Sequence, residues 1–203
     1  MRISKIISFI FHPVLMPTYA FILAINFVPV FSDFMLDEQK TYFIRLVVMF
    51  TLLIPIFSVL LFKKMKIISS YYMEDRSERK GPLCIAIISY YLLLQFFHQM
   101  NVFILFKKLL IGAVLILLLA LLISKFWKIS LHMLGVGGVT GAFLALSILT
   151  SSPFSGTLYL FLCFLFISGL VAYARLNEKA HTLNQVYAGF LVGVFIEFLI
   201  FYF

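Results

Sequence analysis

Two histidines stand out in this sequence because each lies among cationic or amide side chains in an otherwise strongly apolar chain. His181 follows Arg175 after five intervening residues and precedes Gln185 by four positions. Residues four apart share one face of a helix, so the Gln185 amide can reach the His181 imidazole. Thr182 can cap the helix that begins here. An imidazole beside a guanidinium is suited to chemistry on a phosphate, because the cation offsets negative charge.

The second histidine, His132, lies in the first turn of another expected helix. Ser130 has the side chain of an N-cap for that helix, and Lys128 lies just outside it. The start of a helix presents backbone N–H groups without intrahelical partners, and these favour an anion. A histidine bonded to a neighbouring carbonyl would need no further role, but ionisable side chains near membrane depth are costly and usually have a task.

A third polar cluster, residues 72–82, precedes a further apolar run. Arg76 and Arg79 would face the same side if a helix begins here, and two guanidiniums on one face form a fork suited to phosphate oxygens. Lys80 adds a third cation, and Pro82 is well placed near a helix start. The alternative is a solvated loop whose charges anchor the chain at the membrane surface.

The elements that must position these clusters are membrane-spanning helices. Of the 203 residues, 64% are hydrophobic and 12% are charged, whereas a water-soluble domain carries about 25% charged residues. The apolar residues form long runs, without the alternation of a membrane β-barrel. The sequence therefore predicts an all-α, polytopic transmembrane bundle of about six to seven helices, with residues 1–203 forming one integral membrane domain. The predicted spans are 13–31, 42–63, 82–98, 107–125, 131–150, 156–174 and 183–203.

The connections between these spans differ in charge. Twelve of the sixteen basic residues fall in the N-terminal stretch and in the connections 63–80, 125–130 and 175–181, whereas the 32–41 connection is acidic. The positive-inside rule then places the N-terminus and the basic connections in the cytoplasm, at a bacterial inner membrane. Two spans separate each cluster from the next, so all three can meet at one face. Because this asymmetry accounts for most of the net charge of +8, no nucleic-acid partner is expected.

Glycines recur at helical spacing in two of the predicted spans. Gly137 and Gly141 lie four residues apart, as do Gly189 and Gly193. Small residues at this spacing let membrane helices approach closely, so we interpret these glycines as packing surfaces.

Together the three clusters resemble the three signatures of the type 2 phosphatidic acid phosphatase (PAP2) family, over roughly residues 74–193. The spacing from Arg175 to Gln185 resembles that family's Ser-Arg, five residues, His, three residues, Asp. Ser130 and His132 match the Ser and His of its Pro-Ser-Gly-His signature. The first signature, Lys, six residues, Arg-Pro, is matched loosely, by residue order alone, in the arginine-rich cluster.

The resemblance implies a phosphoric-ester hydrolase that needs no metal and no cofactor. His181 would attack phosphorus to form a phosphohistidine, and His132 would protonate the leaving oxygen. The substrate would be a lipid mono- or diphosphate of the phosphatidate, phosphatidylglycerol phosphate or polyprenyl phosphate class. The groups that would hold its phosphate are cationic side chains and one hydroxyl: Arg76, Arg79, Lys80, Lys128, Arg175 and Ser130.

Gln185 stands where the family has an aspartate, and this difference leaves two hypotheses open. An amide orients the imidazole but does not balance its positive charge. Glu74, Asp75 or Glu178 could supply a carboxylate if the fold brings one near His181. The first hypothesis is a lipid-phosphate phosphatase, and the second is a non-catalytic PAP2-like membrane subunit or lipid-phosphate binding protein. A small ion-coupled transporter is disfavoured, because the predicted spans carry a single deep acidic residue, near one end.

Overall fold

A computed structural model describes residues 2–29, 35–71, 73, 75–100, 102–149 and 156–203, and every secondary-structure element in these ranges is helical. The helices are α1 (Arg2–Ile10), α2 (Leu15–Phe27), α3 (Asp37–Lys64), α4 (Lys80–Gln99), α5 (Ile104–Ile123), α6 (Leu131–Leu149), α7 (Gly156–Asn177) and α8 (Leu183–Tyr202). A π-helical turn, Val48–Leu53, lies within α3, and a 3₁₀ turn, Arg76–Arg79, precedes α4. The predicted all-α bundle is confirmed.

Six helices, α3 to α8, are long and apolar enough to cross a membrane. The helices α1 and α2 pass the same test only together, and they meet at 60°, so they add a seventh span only as one broken segment. The break falls at Pro13, which has no backbone N–H to continue α1. These helices indicate an integral membrane protein, as predicted. The helix of the first span covers Leu15–Phe27 within the predicted 13–31, and residues 30–34 lie outside the described ranges. The second span, predicted as 42–63, begins five residues earlier, at Asp37.

The helix α6 lies at the centre of the bundle. In the most apolar 18-residue stretch of α6, 67% of the residues are buried inside the protein. In the corresponding stretches of the other five spans the buried share is 22% to 39%. It packs against both α7 and α8. Aromatic contacts enclose α2 as well, because the ring of Phe21 meets those of Phe97 in α4 and Phe106 in α5 at centroid distances of 5.9 and 5.8 Å. The interior is thus apolar and aromatic.

The helices α6 and α8 pack backbone against backbone along the two glycine pairs. A Cβ atom added at Gly137 would lie 2.5 Å from the carbonyl oxygen of Phe190. A Cβ at Gly193 would collide with the carbonyl oxygen of Leu134 in the facing helix. The other glycine of each pair is likewise enclosed by backbone atoms. The predicted packing role of these glycines is confirmed, and it sets how closely the two helices approach.

The three polar clusters meet at one end of the bundle. The Ser130 N–H, just before α6, donates to the carbonyl oxygen of Gln185 in the first turn of α8, at 3.4 Å. Arg79, just before α4, donates from Nη1 to the carbonyl oxygen of Ile129 at 3.2 Å. The first contact joins the two histidine clusters, and the second adds the arginine-rich cluster. The order of spans predicts this meeting.

Candidate functional site

His181 lies between α7 and α8, and Gln185 fixes the orientation of its ring. The Nδ1 atom of His181 lies 3.0 Å from Oε1 of Gln185. The backbone N–H of Thr182 points to the same amide atom at 3.2 Å, and an N–H only donates, so that atom is the oxygen. His181 therefore carries its proton on Nδ1 and presents a lone pair on Nε2. The predicted contact between residues four apart is present.

The surroundings of His181 keep its ring neutral. Burial lowers the pKa of His181 to about 4, from an ordinary value of 6.5. The hydrogen bond with Gln185 opposes that change in pKa, and the positive charges of Arg175, Arg79 and Lys128 lower the pKa further. At neutral pH the Nε2 lone pair of His181 is consequently available to an electrophile.

Arg79 is a buried cation, with 6% of its surface exposed. Its Nη1 donates to the carbonyl oxygen of Ile129 at 3.2 Å, and its Nε donates to that of Met73 at 3.3 Å. No carboxylate among the described residues lies within ion-pair distance of this guanidinium. A buried charge without a counter-charge is costly, so this position favours a bound anion.

Arg175 lies in the last turn of α7, and its guanidinium contacts two side chains. Its Nη1 donates to Oε2 of Glu178 at 2.7 Å and to the hydroxyl oxygen of Ser8 at 3.2 Å. Its buried Nε atom has no hydrogen-bond partner among the described residues. The other oxygen of Glu178 accepts a hydrogen bond from Ser8 at 3.2 Å. Both Glu178 oxygens are therefore engaged away from the His181 ring.

Two other acidic residues were candidates for a carboxylate beside His181, and neither is placed there by the described structure. Asp75 is exposed and accepts a hydrogen bond from the backbone N–H of Ser77 at 2.8 Å, which caps the 3₁₀ turn. Glu74 lies outside the described residues. In the described part of the chain, the side-chain partner of the His181 ring is the Gln185 amide.

His132 faces the amino-terminal helix. Its Nε2 lies 3.1 Å from the carbonyl oxygen of Ser8, which only accepts, so Nε2 carries the proton and Nδ1 the lone pair. Its ring meets that of His12 edge to face, with centroids 5.3 Å apart. The ring is close enough to Arg175 and His181 for their charges to act on it. His132 thus belongs to the same polar centre as His181.

The other predicted phosphate ligands divide into enclosed and exposed groups. Ser130 is fully buried, and its hydroxyl oxygen lies 3.5 Å from the backbone N–H of Met133, so it caps α6 as predicted. Lys128 is partly buried, and its charge acts on the His181 ring. Arg76 and Lys80 are exposed. The arginine-rich cluster therefore contributes one enclosed cation, Arg79, where the sequence predicts a fork of two arginines.

Sequence reasoning misses the contribution of α1. Ser4 and Ser8 are buried at 2% and 8% exposure, and Ser4 accepts a hydrogen bond from Asn177 at 2.8 Å. His12 continues the same face past the end of the helix. The signal was present: positions 4, 8 and 12 form a polar stripe at four-residue spacing in an apolar stretch.

The arrangement combines a neutral imidazole with a free Nε2 lone pair, a second imidazole, and three cations, of which Arg175 is paired with Glu178. Such a set can hold a tetrahedral oxyanion and attack its central atom, since the cations offset the charge that develops on the oxygens. Comparison with protein-family models, with curated proteins and with solved structures finds no match for this chain, so the functional interpretation rests on its residues and geometry.

Proposed function

We propose that this chain is a membrane phosphatase that releases phosphate from a lipid mono- or diphosphate through a phosphohistidine at His181. One observation carries the proposal: the neutral ring of His181, with Nε2 presented, lies near the buried Arg79, whose charge no described carboxylate balances. The likeness of the histidine clusters to the PAP2 signatures supports the same chemistry. The membrane helices around the site suit a substrate with an apolar tail.

In the first step the Nε2 lone pair of His181 attacks phosphorus and forms a P–N bond. The bond from phosphorus to the lipid oxygen, or to the bridging oxygen of a diphosphate, breaks. The Nε2–H of His132 is engaged by the carbonyl of Ser8, so its Nδ1 lone pair first takes the proton from the hydroxyl of the monoanionic phosphate. His132 then gives that proton to the leaving oxygen and is neutral again. Arg79 and Arg175 offset the charge on the phosphoryl oxygens.

In the second step a water attacks the phosphorus of the phosphohistidine. The Nδ1 of His132 accepts the proton of this water, and the P–N bond breaks. His132 returns the proton to the departing inorganic phosphate, so both histidines are neutral again. Gln185 keeps the Nδ1–H oriented throughout. Its amide does not neutralise the positive ring of the intermediate, as a carboxylate would, so the barrier stays higher than in a His–Asp pair.

That missing charge also favours a second candidate, a lipid-phosphate binding protein without turnover. The His181 ring contacts an amide, and no hydrogen bond joins it to a carboxylate among the residues described. A protein that only binds a lipid phosphate needs the cations and the N-terminus of α6, but it needs no proton transfer. The two candidates differ in phosphate release and in covalent labelling, and both can be measured.

The test is phosphate release by purified protein from phosphatidate, phosphatidylglycerol phosphate and a polyprenyl diphosphate. We expect His181→Ala to abolish release and to abolish acid-labile phosphate on the protein. We expect His132→Ala to slow release by about 10²–10⁴, the usual contribution of a general acid. The matched control is His98→Ala, because His98 is exposed near the end of α4 and should leave release unchanged.

Release that survives both substitutions would overturn the mechanism. Phosphate binding without release or labelling would support the second candidate.

The substitution Gln185→Asp tests whether the missing charge limits turnover. A carboxylate should still accept the Nδ1–H bond of His181 and should stabilise the cationic ring of the intermediate. The reverse exchange costs about 10⁴ in kcat in a Ser-His-Asp triad, so we expect a gain in phosphate release of at least about tenfold. Gln99→Asp, at the exposed end of α4, is the control for added charge. An unchanged or lower rate in Gln185→Asp, with the fold intact, would contradict this role of the amide.

A further inference from the structure

The helix α1 exposes large apolar side chains and buries two serines. Ile3, Ile6 and Phe9 are exposed at 71%, 56% and 77%, whereas Ser4 and Ser8 are buried at 2% and 8%. A helix on the surface of a water-soluble protein has the opposite arrangement. The outward side of α1 therefore requires an apolar environment.

The contacts of α1 with the end of α7 indicate that this apolar environment is the surface region of the bilayer. Ser4 accepts a hydrogen bond from Asn177, the last residue of α7, and Ser8 contacts Glu178 just beyond it. Because α7 has the length and composition of a membrane span, its end marks the boundary between lipid and water. The 60° bend to α2 turns α1 away from that helix. The apolar side of α1 thus lies at the depth of the lipid headgroups and upper acyl chains.

The charges of α1 agree with this placement. Arg2 and Lys5 are both exposed on the same outward side, where Arg2 precedes Ile6 and Lys5 precedes Phe9 by four positions. Basic residues beside an apolar helix face bind anionic phospholipid, because the cations reach the headgroups while the apolar side chains enter the acyl boundary. Trp127 and Phe126, exposed before α6 at the same end of the bundle, are of the type enriched at that depth.

We propose that α1 is an interfacial helix that seats its apolar face in a bilayer containing anionic lipid and thereby holds Ser8 on Arg175 and His132. The hydroxyl of Ser8 accepts from Arg175 at 3.2 Å, and its carbonyl accepts from His132 at 3.1 Å. One residue of α1 therefore orients two groups of the candidate site. The placement of the helix follows from exposure and contacts, so it does not depend on the chemistry proposed for His181.

The experiment places a nitroxide spin label at Phe9→Cys in the full chain with Cys84→Ala and Cys163→Ala. The matched control is Ser77→Cys in the same background, since Ser77 is exposed in the polar 3₁₀ turn at the same end of the bundle. The protein is reconstituted in vesicles of phosphatidylcholine, with or without phosphatidylglycerol. Collision of each label with oxygen, which enters lipid, and with a water-soluble nickel chelate is measured.

We expect the label at Phe9→Cys to collide more with oxygen and less with nickel than the label at Ser77→Cys, by severalfold. Phosphatidylglycerol should increase that difference, and the double change Arg2→Gln with Lys5→Gln should remove the increase. Equal nickel collision at the two positions in both vesicles would overturn the proposal. Strong spin–spin coupling between Phe9→Cys labels of two copies would also overturn it, because the apolar face would then cover a second copy. Phosphate release plays no part in these outcomes.

Discussion

At the scale of single residues, the site depends on keeping one imidazole neutral. Burial and three nearby cations lower the pKa of His181, and the Gln185 amide holds the ring without adding a negative charge. A carboxylate in that place would raise the pKa and stabilise the cationic ring. The amide of Gln185 therefore orients the ring without balancing the charge of its cationic form.

The lowered pKa of His181 has a measurable consequence. Diethyl pyrocarbonate modifies the neutral imidazole, so modification of His181 followed by mass spectrometry should fall to half near pH 4, below the ordinary 6.5. Arg79→Gln should move this midpoint upward, because it removes a positive charge that lowers the pKa. Arg76→Gln, at an exposed site, is the control. A midpoint near 6.5 in the unmodified chain would contradict an enclosed, neutral ring.

The same shift in pKa predicts the direction of acid sensitivity. The unfolded chain binds a proton at His181 near pH 6.5, and the folded chain does so only near pH 4. The contribution of the neutral ring to the free energy of unfolding is complete above pH 6.5 and is lost as the pH falls through 4.

At the scale of elements, the pair α6 and α8 determines where the site groups stand. His132 lies in the first turn of α6, and Gln185 lies in the first turn of α8. The glycine contacts between these helices leave no room for a side chain, so the two starts are held close enough for the Ser130 N–H to reach the Gln185 carbonyl. Packing along the length of the helices thereby positions the groups at their ends.

The substitution Gly193→Ala tests this coupling. Its Cβ would collide with the backbone of Leu134 and Gly138, so we expect a loss of about 1–3 kcal/mol in the free energy of unfolding. Phosphate binding should weaken as well, because the helix starts move apart. Gly169→Ala in α7 is the matched control, since a Cβ there meets nothing within 4 Å. The measurement is denaturant unfolding in detergent, and equal stability of the two variants would contradict close packing.

At the scale of the whole molecule, apolar spans separate two polar regions. The site lies at one end, and the acidic pair Asp37 and Glu38 begins α3 at the other. Glu197 lies between them, with 4% of its surface exposed, against Gly112 of α5. It follows Leu183 by fourteen positions, about 21 Å along α8 at ~1.5 Å per residue, so it is too distant to serve the His181 ring.

The charge asymmetry predicts the side of the membrane on which the site lies. Single cysteines at Ser77 and at Glu38, both exposed, report on opposite ends of the bundle when Cys84 and Cys163 are replaced by alanine. In intact bacterial cells a membrane-impermeant maleimide should label Glu38→Cys, and it should label Ser77→Cys only after permeabilisation. The reverse pattern would place the site outside the cytoplasm. Labelling with a permeant maleimide controls for expression of both variants.

The sequence by itself determined the membrane class, the approximate number of spans, the glycine packing and the meeting of the three clusters. These follow from apolar run length, four-residue spacing and the parity of membrane crossings, all of which depend on residue order alone. It also predicted the contact of His181 with Gln185, because both lie within one helical turn.

Only the tertiary structure decided which charged side chains lie inside the candidate site and which of them are paired. Ser8 and Glu178 are 170 positions apart, and their contact holds Glu178 on Arg175 and away from His181. Arg79 turns inward while Arg76 stays exposed, although spacing alone treats them alike. Such choices depend on how distant helices pack, because a side chain's partner is set by whichever element lies against it in space.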